Sequence, residues 1–193
     1  MNLPNQLTVG RFFLTLLFVA ALSSSWAWAY TAGLVLFGLA SLTDYADGEI
    51  ARRYNLVTDF GKLMDPLVDK IMMAAAFICL VPLGAFPPWV VIIIISREFL
   101  ITGLRMLAAS KGVLLPAENL GKHKTIWQII TVLYFLLLLA VGEVERSGFW
   151  DVHAWWSLAW TWGGTALIAL ATGLTLYSGL GYLWRNRHLI EGA

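Results

Sequence analysis

Charged residues are scarce in this sequence, and their scarcity excludes most soluble folds. Only 13% of the 193 residues are Asp, Glu, Lys or Arg, against roughly 25% in a typical soluble domain. Apolar residues make up 59% of the chain, and the mean hydropathy is +0.73. This composition predicts an integral membrane protein, and the length allows about five to seven spanning helices in a single domain, residues 1–193.

The sequence also has few cysteines and histidines and a net charge close to zero, and each of these features excludes one kind of structure or partner. The single cysteine, Cys79, cannot form an internal disulfide. The three histidines, His123, His153 and His188, do not have the spacing of zinc ligands. A net charge of +1 does not provide the concentrated basic surface that nucleic-acid binding requires. We therefore expect neither a zinc site nor a nucleic-acid partner.

Long apolar runs, separated by turn-forming or charged residues, predict an all-α bundle of six transmembrane helices. The predicted spans are residues 8–29, 31–54, 60–82, 87–110, 120–142 and 155–184. A short amphipathic lead-in, residues 3–7, precedes the first span. Pro66 lies inside the third span, and because proline lacks a backbone donor, it predicts a break that faces protein or water rather than lipid.

Basic residues are distributed unequally between the two sides of this topology. One side contains Arg52, Arg53, Lys62, Lys111, Lys122, Lys124, Arg185 and Arg187, whereas the other contains Arg146. Tryptophans cluster on the side of Arg146, as is typical of an aromatic belt at a membrane interface. The positive-inside rule then predicts that both termini lie in the cytoplasm of a bacterium, below its plasma or inner membrane.

Four aspartates are concentrated near the cytoplasmic ends of the second and third predicted helices. Asp44 and Asp47 are three residues apart and Asp65 and Asp69 four apart, so each pair shares one helix face. A short loop makes the two helices antiparallel neighbours, and all four carboxylates are expected to converge. Because clustered acids repel one another, they must bind protons or cations. Oxygen-only ligands favour two Mg²⁺ or Mn²⁺ ions over zinc.

Two glycines and an arginine accompany the aspartates. Gly48 and Gly61 leave the backbone uncovered where a bulky ligand can approach, although both also suit close helix packing. Arg52 lies one helical turn after Gly48 and offers a planar guanidinium to a phosphate. The alternative for the aspartates is surface ion pairing with nearby lysines and arginines. Acids inside a membrane protein are costly, however, and are typically functional.

These residues form one long pattern at fixed spacing. It reads Asp44-x-x-Asp47-Gly48-x-x-Ala51-Arg52, then eight residues, Gly61, three residues, Asp65, three residues and Asp69. The pattern resembles the signature of the CDP-alcohol phosphotransferase family at every specified position. The resemblance implies a six-helix membrane enzyme that transfers a substituted phosphate from a CDP-linked alcohol or lipid to an acceptor hydroxyl and releases CMP.

The resemblance also implies roles for individual residues. Asp44, Asp47, Asp65 and Asp69 would hold two metal ions, Asp69 would be the catalytic base, and Gly48, Arg52 and Gly61 would bind the CDP moiety. A homodimer within the membrane lipids is compatible with the resemblance and with the small residues Ala74, Ala75 and Ala76.

Three further segments resemble one branch of that family. They are NLPNQLTVGR at residues 2–11, SREFLITGLRMLAASKG at 96–112 and GKHKT at 121–125. This branch implies CDP-diacylglycerol as donor, sn-glycerol 3-phosphate as acceptor, and phosphatidylglycerophosphate and CMP as products. Because the acceptor has its own phosphate, a second cationic pocket is required, and Arg105, Lys122 and Lys124 are its candidates. Their alternative role is anchoring at the membrane surface.

Other charged residues admit two interpretations. Arg97 and Glu98 suit either a structural ion pair or a role in the site. Lys70 follows Asp69, but neighbouring residues point about 100° apart on a helix, so an interhelical salt bridge or contact with the membrane surface is favoured for it over catalysis.

Two alternative functions remain. A phosphatidylinositol phosphate synthase would also require a phosphate pocket, and the basic residues do not distinguish inositol phosphate from glycerol phosphate. A divalent cation transporter would also bury aspartates, but near the midplane of the bilayer and often on discontinuous helices. The aspartates crowd the cytoplasmic end instead, which favours the transferase.

Overall fold

A computed structural model describes residues 3–54, 59–113, 115, 119–146 and 153–187. Within these ranges, side chains are described except at 3–4, 45–54, 59–60, 62, 119–122 and 153–154. Regular structure throughout the described ranges is helical, which confirms the all-α class. The helices are α1 (Leu3–Leu22), α2 (Ala29–Tyr54), α3 (Asp59–Leu80), α4 (Pro88–Ser110), α5 (Asn119–Arg146), α6 (His153–Leu158) and, after a π-helical turn (Ala159–Gly163), α7 (Gly164–Arg185).

The first five predicted spans correspond to α1–α5, and the sixth covers α6, the π-helical turn and α7. The first is shifted toward the N-terminus. Helix α1 ends at Leu22 rather than near residue 29. The hydroxyl of Ser24 donates a 2.7 Å hydrogen bond to the carbonyl oxygen of Ala21, and such a bond competes with continued helix formation. At its other end, α1 is continuous through residues 3–7, so a separate amphipathic lead-in is not confirmed.

Helix α3 contains the proline of the third predicted span. It runs from Asp59 to Leu80 with Pro66 inside it, so the missing backbone donor of Pro66 does not end the helix. Pro66 lines a cavity, which is the kind of surrounding expected for a proline in a membrane helix.

Three helical segments in the described part of the chain are long and apolar enough to cross a membrane. They are Asn5–Leu22, His123–Arg146 and Trp155–Arg185. Large apolar side chains also point away from the protein, among them Leu63, Ile92, Phe99, Trp162 and Trp184. Such an exterior suits lipid rather than water. The chain is therefore an integral membrane protein, and the count of six spans stays a prediction.

An aromatic core fixes the helices relative to one another. Phe86, in the α3–α4 connection, contacts Phe77 of α3 and Phe135 of α5, with ring centroids 5.1 and 5.3 Å apart. Helix α1 packs on α2 and α3, α2 packs on α5, and α7 packs on α4 and α5. This packing brings the first halves of α1, α3 and α5 to the same end of the bundle as the second half of α2. We call it the aspartate end, because it contains Asp44, Asp65 and Asp69.

Candidate active site

Carboxylates from two helices meet at one buried arginine at the aspartate end. Nη1 of Arg11, in α1, lies 2.8 Å from Oδ1 of Asp44 in α2 and also contacts Oδ1 of Asp69 in α3. The Arg11 side chain is completely buried, whereas those of Asp44 and Asp69 are 43% and 42% exposed. The guanidinium therefore lies beneath the two carboxylates and leaves their outer sides accessible to a ligand.

The third described aspartate is also held by α1. The hydroxyl of Thr8 donates a 2.5 Å hydrogen bond to Oδ1 of Asp65. Thr8 and Arg11 are three residues apart and thus lie on one face of α1, and both are buried. Helix α1 therefore positions three of the four predicted metal ligands.

Sequence reasoning did not identify Thr8 or Arg11 as site residues. A signal was present, because Arg11 is a basic residue inside an otherwise apolar predicted span, and ionisable residues at such positions are typically functional. Both residues also lie in the NLPNQLTVGR segment, which resembles one branch of the family.

The structure describes the other residues predicted to bind metal and the CDP moiety only in part. The side chains of Asp47 and Arg52, and the surroundings of Gly48, lie outside the described residues, although all three positions belong to α2. Gly61 is buried near the start of α3. Their roles in binding metal and the CDP moiety stay predictions.

The chemistry of the aspartates suits a hard divalent cation, because their donors are all carboxylate oxygens. Among the described side chains, no group of three or more His, Cys, Asp or Glu is arranged to hold a metal ion. Instead, the carboxylates of Asp44 and Asp69 contact Arg11, and that of Asp65 contacts Thr8. The donor set therefore fits Mg²⁺ or Mn²⁺, and the two-metal site stays a prediction.

A cavity of about 320 Å³ adjoins Asp69. It lies between α3, α4 and α5, and most of its wall is apolar, with Phe77 and Ile94 among the lining residues. Its polar lining residues are Asp69, Lys70, Glu98, Thr125 and Gln128. The cavity thus joins a predicted catalytic carboxylate to a set of polar and charged groups on three helices.

Lys124, a predicted acceptor-binding residue, is buried beside this cavity. Its side chain is 5% exposed, and its Nζ forms an ion pair with Oε1 of Glu98. Anchoring at the membrane surface would leave the amine exposed, so it does not describe this lysine. Nη1 of Arg97 lies 3.3 Å from the same Glu98 oxygen. Two cations therefore share one carboxylate.

The other predicted acceptor residues are arranged differently. Nε of Arg105 donates a 3.2 Å hydrogen bond to the hydroxyl of Tyr182, and its guanidinium lies 5.4 Å from the centre of that ring. Lys70 lines the cavity and lies close enough to Arg105 and Lys124 for their positive charges to repel. These three residues therefore concentrate positive charge near the cavity, although the sequence pattern favoured a salt bridge or membrane contact for Lys70. The side chain of Lys122 lies outside the described residues.

Comparison with known proteins assigns the chain to a family. The family model described as CDP-alcohol phosphatidyltransferase matches residues 1–174. A Bacillus subtilis protein named CDP-diacylglycerol–glycerol-3-phosphate 3-phosphatidyltransferase is 42% identical over 172 residues, which cover 83% of this chain and 89% of the relative. A Rickettsia felis protein of the same name is 39% identical over 183 residues, covering 94% and 93%. A Mycobacterium tuberculosis protein named probable phosphatidylglycerophosphate synthase is 37% identical over 142 residues, covering 72% and 68%. The chain belongs to the CDP-alcohol phosphatidyltransferase family.

Proposed function

We propose that the protein transfers the phosphatidyl group of CDP-diacylglycerol to sn-glycerol 3-phosphate, giving phosphatidylglycerophosphate and CMP. One observation supports this most directly. Asp44 and Asp69, from different helices, meet at the buried Arg11, and Asp69 also lines a cavity whose basic neighbours include Lys70 and Lys124. Relatives that align over most of this chain are named for the same reaction.

Asp44, Asp47, Asp65 and Asp69 would hold two Mg²⁺ or Mn²⁺ ions. Such ions, when bound, supply positive charge that stabilises the pyrophosphate and the departing CMP. Arg52 would pair with a donor phosphate, while Gly48 and Gly61 would let the CDP moiety approach the backbone closely.

Asp69 would accept the proton of the attacking acceptor hydroxyl. Its carboxylate is accessible from outside and also borders the cavity, so it can contact groups on either side. A new phosphorus–oxygen bond then joins the phosphatidyl group to the acceptor as the bond to CMP breaks.

Arg105, Lys122 and Lys124 would bind the acceptor's own phosphate. Lys70 joins this group in our proposal, because it lines the cavity and adds positive charge near Arg105 and Lys124, which an acceptor phosphate would offset. These basic residues would bind a phosphorylated acceptor in preference to a neutral alcohol. They do not by themselves favour glycerol phosphate over inositol phosphate.

Six spans would cross the bacterial plasma membrane, with the aspartate end in the cytoplasm. The bias of lysine and arginine toward that end supports this orientation. A homodimer also stays a prediction. Of the alanines considered for helix contact between subunits, Ala76 is fully buried in the core of this chain and Ala74 lines the cavity.

The test is CMP release by purified protein supplied with CDP-diacylglycerol and Mg²⁺. We expect release that requires both the metal and sn-glycerol 3-phosphate. Asp65→Asn should abolish most of the CMP release. Glu145→Gln, near the C-terminal end of α5 and far from the aspartate end, should not. Release with inositol phosphate in place of glycerol 3-phosphate would identify the related synthase instead. Cation flux in liposomes without CMP release would identify a transporter.

A further inference from the structure

Glu98 neutralises cations that the cavity would otherwise present to a phosphate. Its Oε1 atom contacts Nζ of Lys124 and lies 3.3 Å from Nη1 of Arg97. Glu98 lines the cavity, and its side chain is 27% exposed, against 12% for Arg97 and 5% for Lys124. The carboxylate is thus the most accessible member of this group, and an anion entering the cavity meets it before it meets Lys124.

Arg97 is fixed from its other side by α7. Its Nη2 donates a 3.1 Å hydrogen bond to the hydroxyl of Ser178. The next residue is Gly179, where an added Cβ would lie 2.8 Å from Cγ of Arg97. The arginine therefore lies directly against the backbone of α7 and keeps a neutral partner there that does not depend on Glu98.

We propose that Glu98 is an internal counter-ion that an acceptor's phosphate group replaces at Lys124 and Arg97. This inference rests on the proposed function and concerns how the acceptor is selected. Buried cations are costly without an anion, and here one anion exchanges for another, so neither cation is left unpaired. A neutral alcohol supplies no replacement charge, and the Lys124–Glu98 pair then stays closed.

Removing the charge of Glu98 should change acceptor affinity, and the direction of that change distinguishes a counter-ion from a residue that only orients Lys124. If Glu98 competes with the phosphate, removing its charge strengthens acceptor binding and weakens the protein when no anion is present. If Glu98 only orients Lys124, removing its charge weakens acceptor binding.

The experiment compares wild type with Glu98→Gln, Glu98→Asp and the double variant Glu98→Gln/Lys124→Gln. For each purified protein, the KM for sn-glycerol 3-phosphate and the KM for CDP-diacylglycerol are measured. Thermal unfolding is recorded with no addition, with inorganic phosphate, with sn-glycerol 3-phosphate and with glycerol.

We expect Glu98→Gln to lower the KM for sn-glycerol 3-phosphate by on the order of tenfold, as removal of one nearby like charge predicts. Its KM for CDP-diacylglycerol should not change. Its unfolding temperature should fall without anion and rise more than that of wild type with either phosphate compound, but not with glycerol. The double variant should lose both the lower KM and the added response to anions.

Glu98→Asp keeps the charge but shortens its reach to Lys124, so its KM should lie between those of wild type and Glu98→Gln. This variant tests the inference even if Glu98→Gln does not fold. A raised or unchanged KM in the variants, with no added response to phosphate, would overturn the inference. If wild type releases no CMP with sn-glycerol 3-phosphate, yet phosphate stabilises Glu98→Gln more than wild type, the proposed function fails and the counter-ion role stands.

Discussion

Glu143 and Asp69 lie at opposite ends of the bundle, and their surroundings differ in what they leave for a ligand. Glu143 is 4% exposed and accepts three 2.8 Å hydrogen bonds, from the backbone N–H groups of Tyr30 and Thr31 and from the Thr31 hydroxyl. These donors belong to the start of α2, where the helix dipole also favours an anion. Asp69, by contrast, has a side chain that is 42% exposed, and it shares the guanidinium of Arg11 with Asp44.

The comparison separates a structural acid from one available for chemistry. At Glu143, helix α2 supplies the donors that a buried carboxylate needs, so this acid joins α5 to α2 without any added ion. At the aspartate end, the described side chains include Arg11, which supplies one positive charge beneath two carboxylates, and Thr8, which donates a neutral hydroxyl to Asp65. These described contacts supply less positive charge than the three carboxylates carry, as suits a site for a divalent cation.

Asp69→Asn should produce the largest effect, and the effect should be on catalysis. We expect the rate of CMP release to fall by about 10²–10⁴-fold, the usual contribution of a general base. The variant should unfold at a temperature close to that of wild type. It loses the ion pair between Asp69 and Arg11, but it also loses the repulsion between Asp69 and Asp44, and Arg11 keeps Asp44 as a partner. A rate within about tenfold of wild type would show that Asp69 is not the base.

Arg11→Met should come next, with an effect on stability that depends on metal. Removing one partner of a fully buried ion pair typically costs about 3–5 kcal/mol. Because the two carboxylates here are 43% and 42% exposed, we expect the metal-free protein to lose less, about 2–3 kcal/mol. Saturating Mg²⁺ should restore part of that loss, because it neutralises the same carboxylates. Thermal unfolding with and without Mg²⁺ measures both quantities.

The matched control for Arg11 is Arg146→Met, which changes an exposed arginine at the end of α5. It should alter neither the stability nor the response to Mg²⁺. An equal loss of stability in Arg11→Met with and without Mg²⁺ would indicate that Arg11 serves packing alone.

Glu143→Gln should destabilise the protein without impairing the reaction. The amide keeps one acceptor oxygen but loses the other, so one or more buried donors at the start of α2 lose their partner. The expected cost is about 1–3 kcal/mol, measured by thermal unfolding, with the rate of CMP release per folded molecule unchanged. Glu145→Gln, on a less buried residue two positions later, should leave stability nearly unchanged. A large loss of CMP-release rate in Glu143→Gln would contradict the assignment of Glu143 as a purely structural acid.

Thr8→Val should have the smallest effect, about 1 kcal/mol for one hydrogen bond. Because its hydroxyl orients Asp65, the variant should also bind Mg²⁺ more weakly, as isothermal titration would measure. Thr15→Val is the matched control, since the Thr15 hydroxyl bonds to the carbonyl oxygen of Arg11 within the same helix. Equal Mg²⁺ affinity in the two variants would argue against a role for Thr8 at the site.

The sequence predicted the helices and the aspartate pairs because both depend on local periodicity. Apolar runs determine where membrane helices form, and the spacing of Asp65 and Asp69 determines a shared face. The end of α1 was misplaced because the Ser24 hydroxyl bonds back to the backbone, an interaction that hydropathy does not register.

Contacts between distant helices could not be predicted in this way. Arg11 reaches Asp69 across 58 positions of sequence, and that contact depends on how α1 packs against α2 and α3. Similarly, the sequence presented Glu98 as the neighbour of Arg97, whereas its partner Lys124 comes from another helix. Their pairing depends on how α4 packs in the bundle. Periodicity predicts the buried face of a helix, but not which residues of two helices lie at the same level.

Binding of Mn²⁺ to the purified protein, counted by electron paramagnetic resonance, tests the distinction between the two acids most directly. We predict two bound ions per chain for wild type and for Glu143→Gln, and weakened or lost binding for Asp69→Asn. Equal Mn²⁺ binding by wild type and Asp69→Asn, or loss of binding in Glu143→Gln alone, would contradict the assignment of the aspartate end as the metal site.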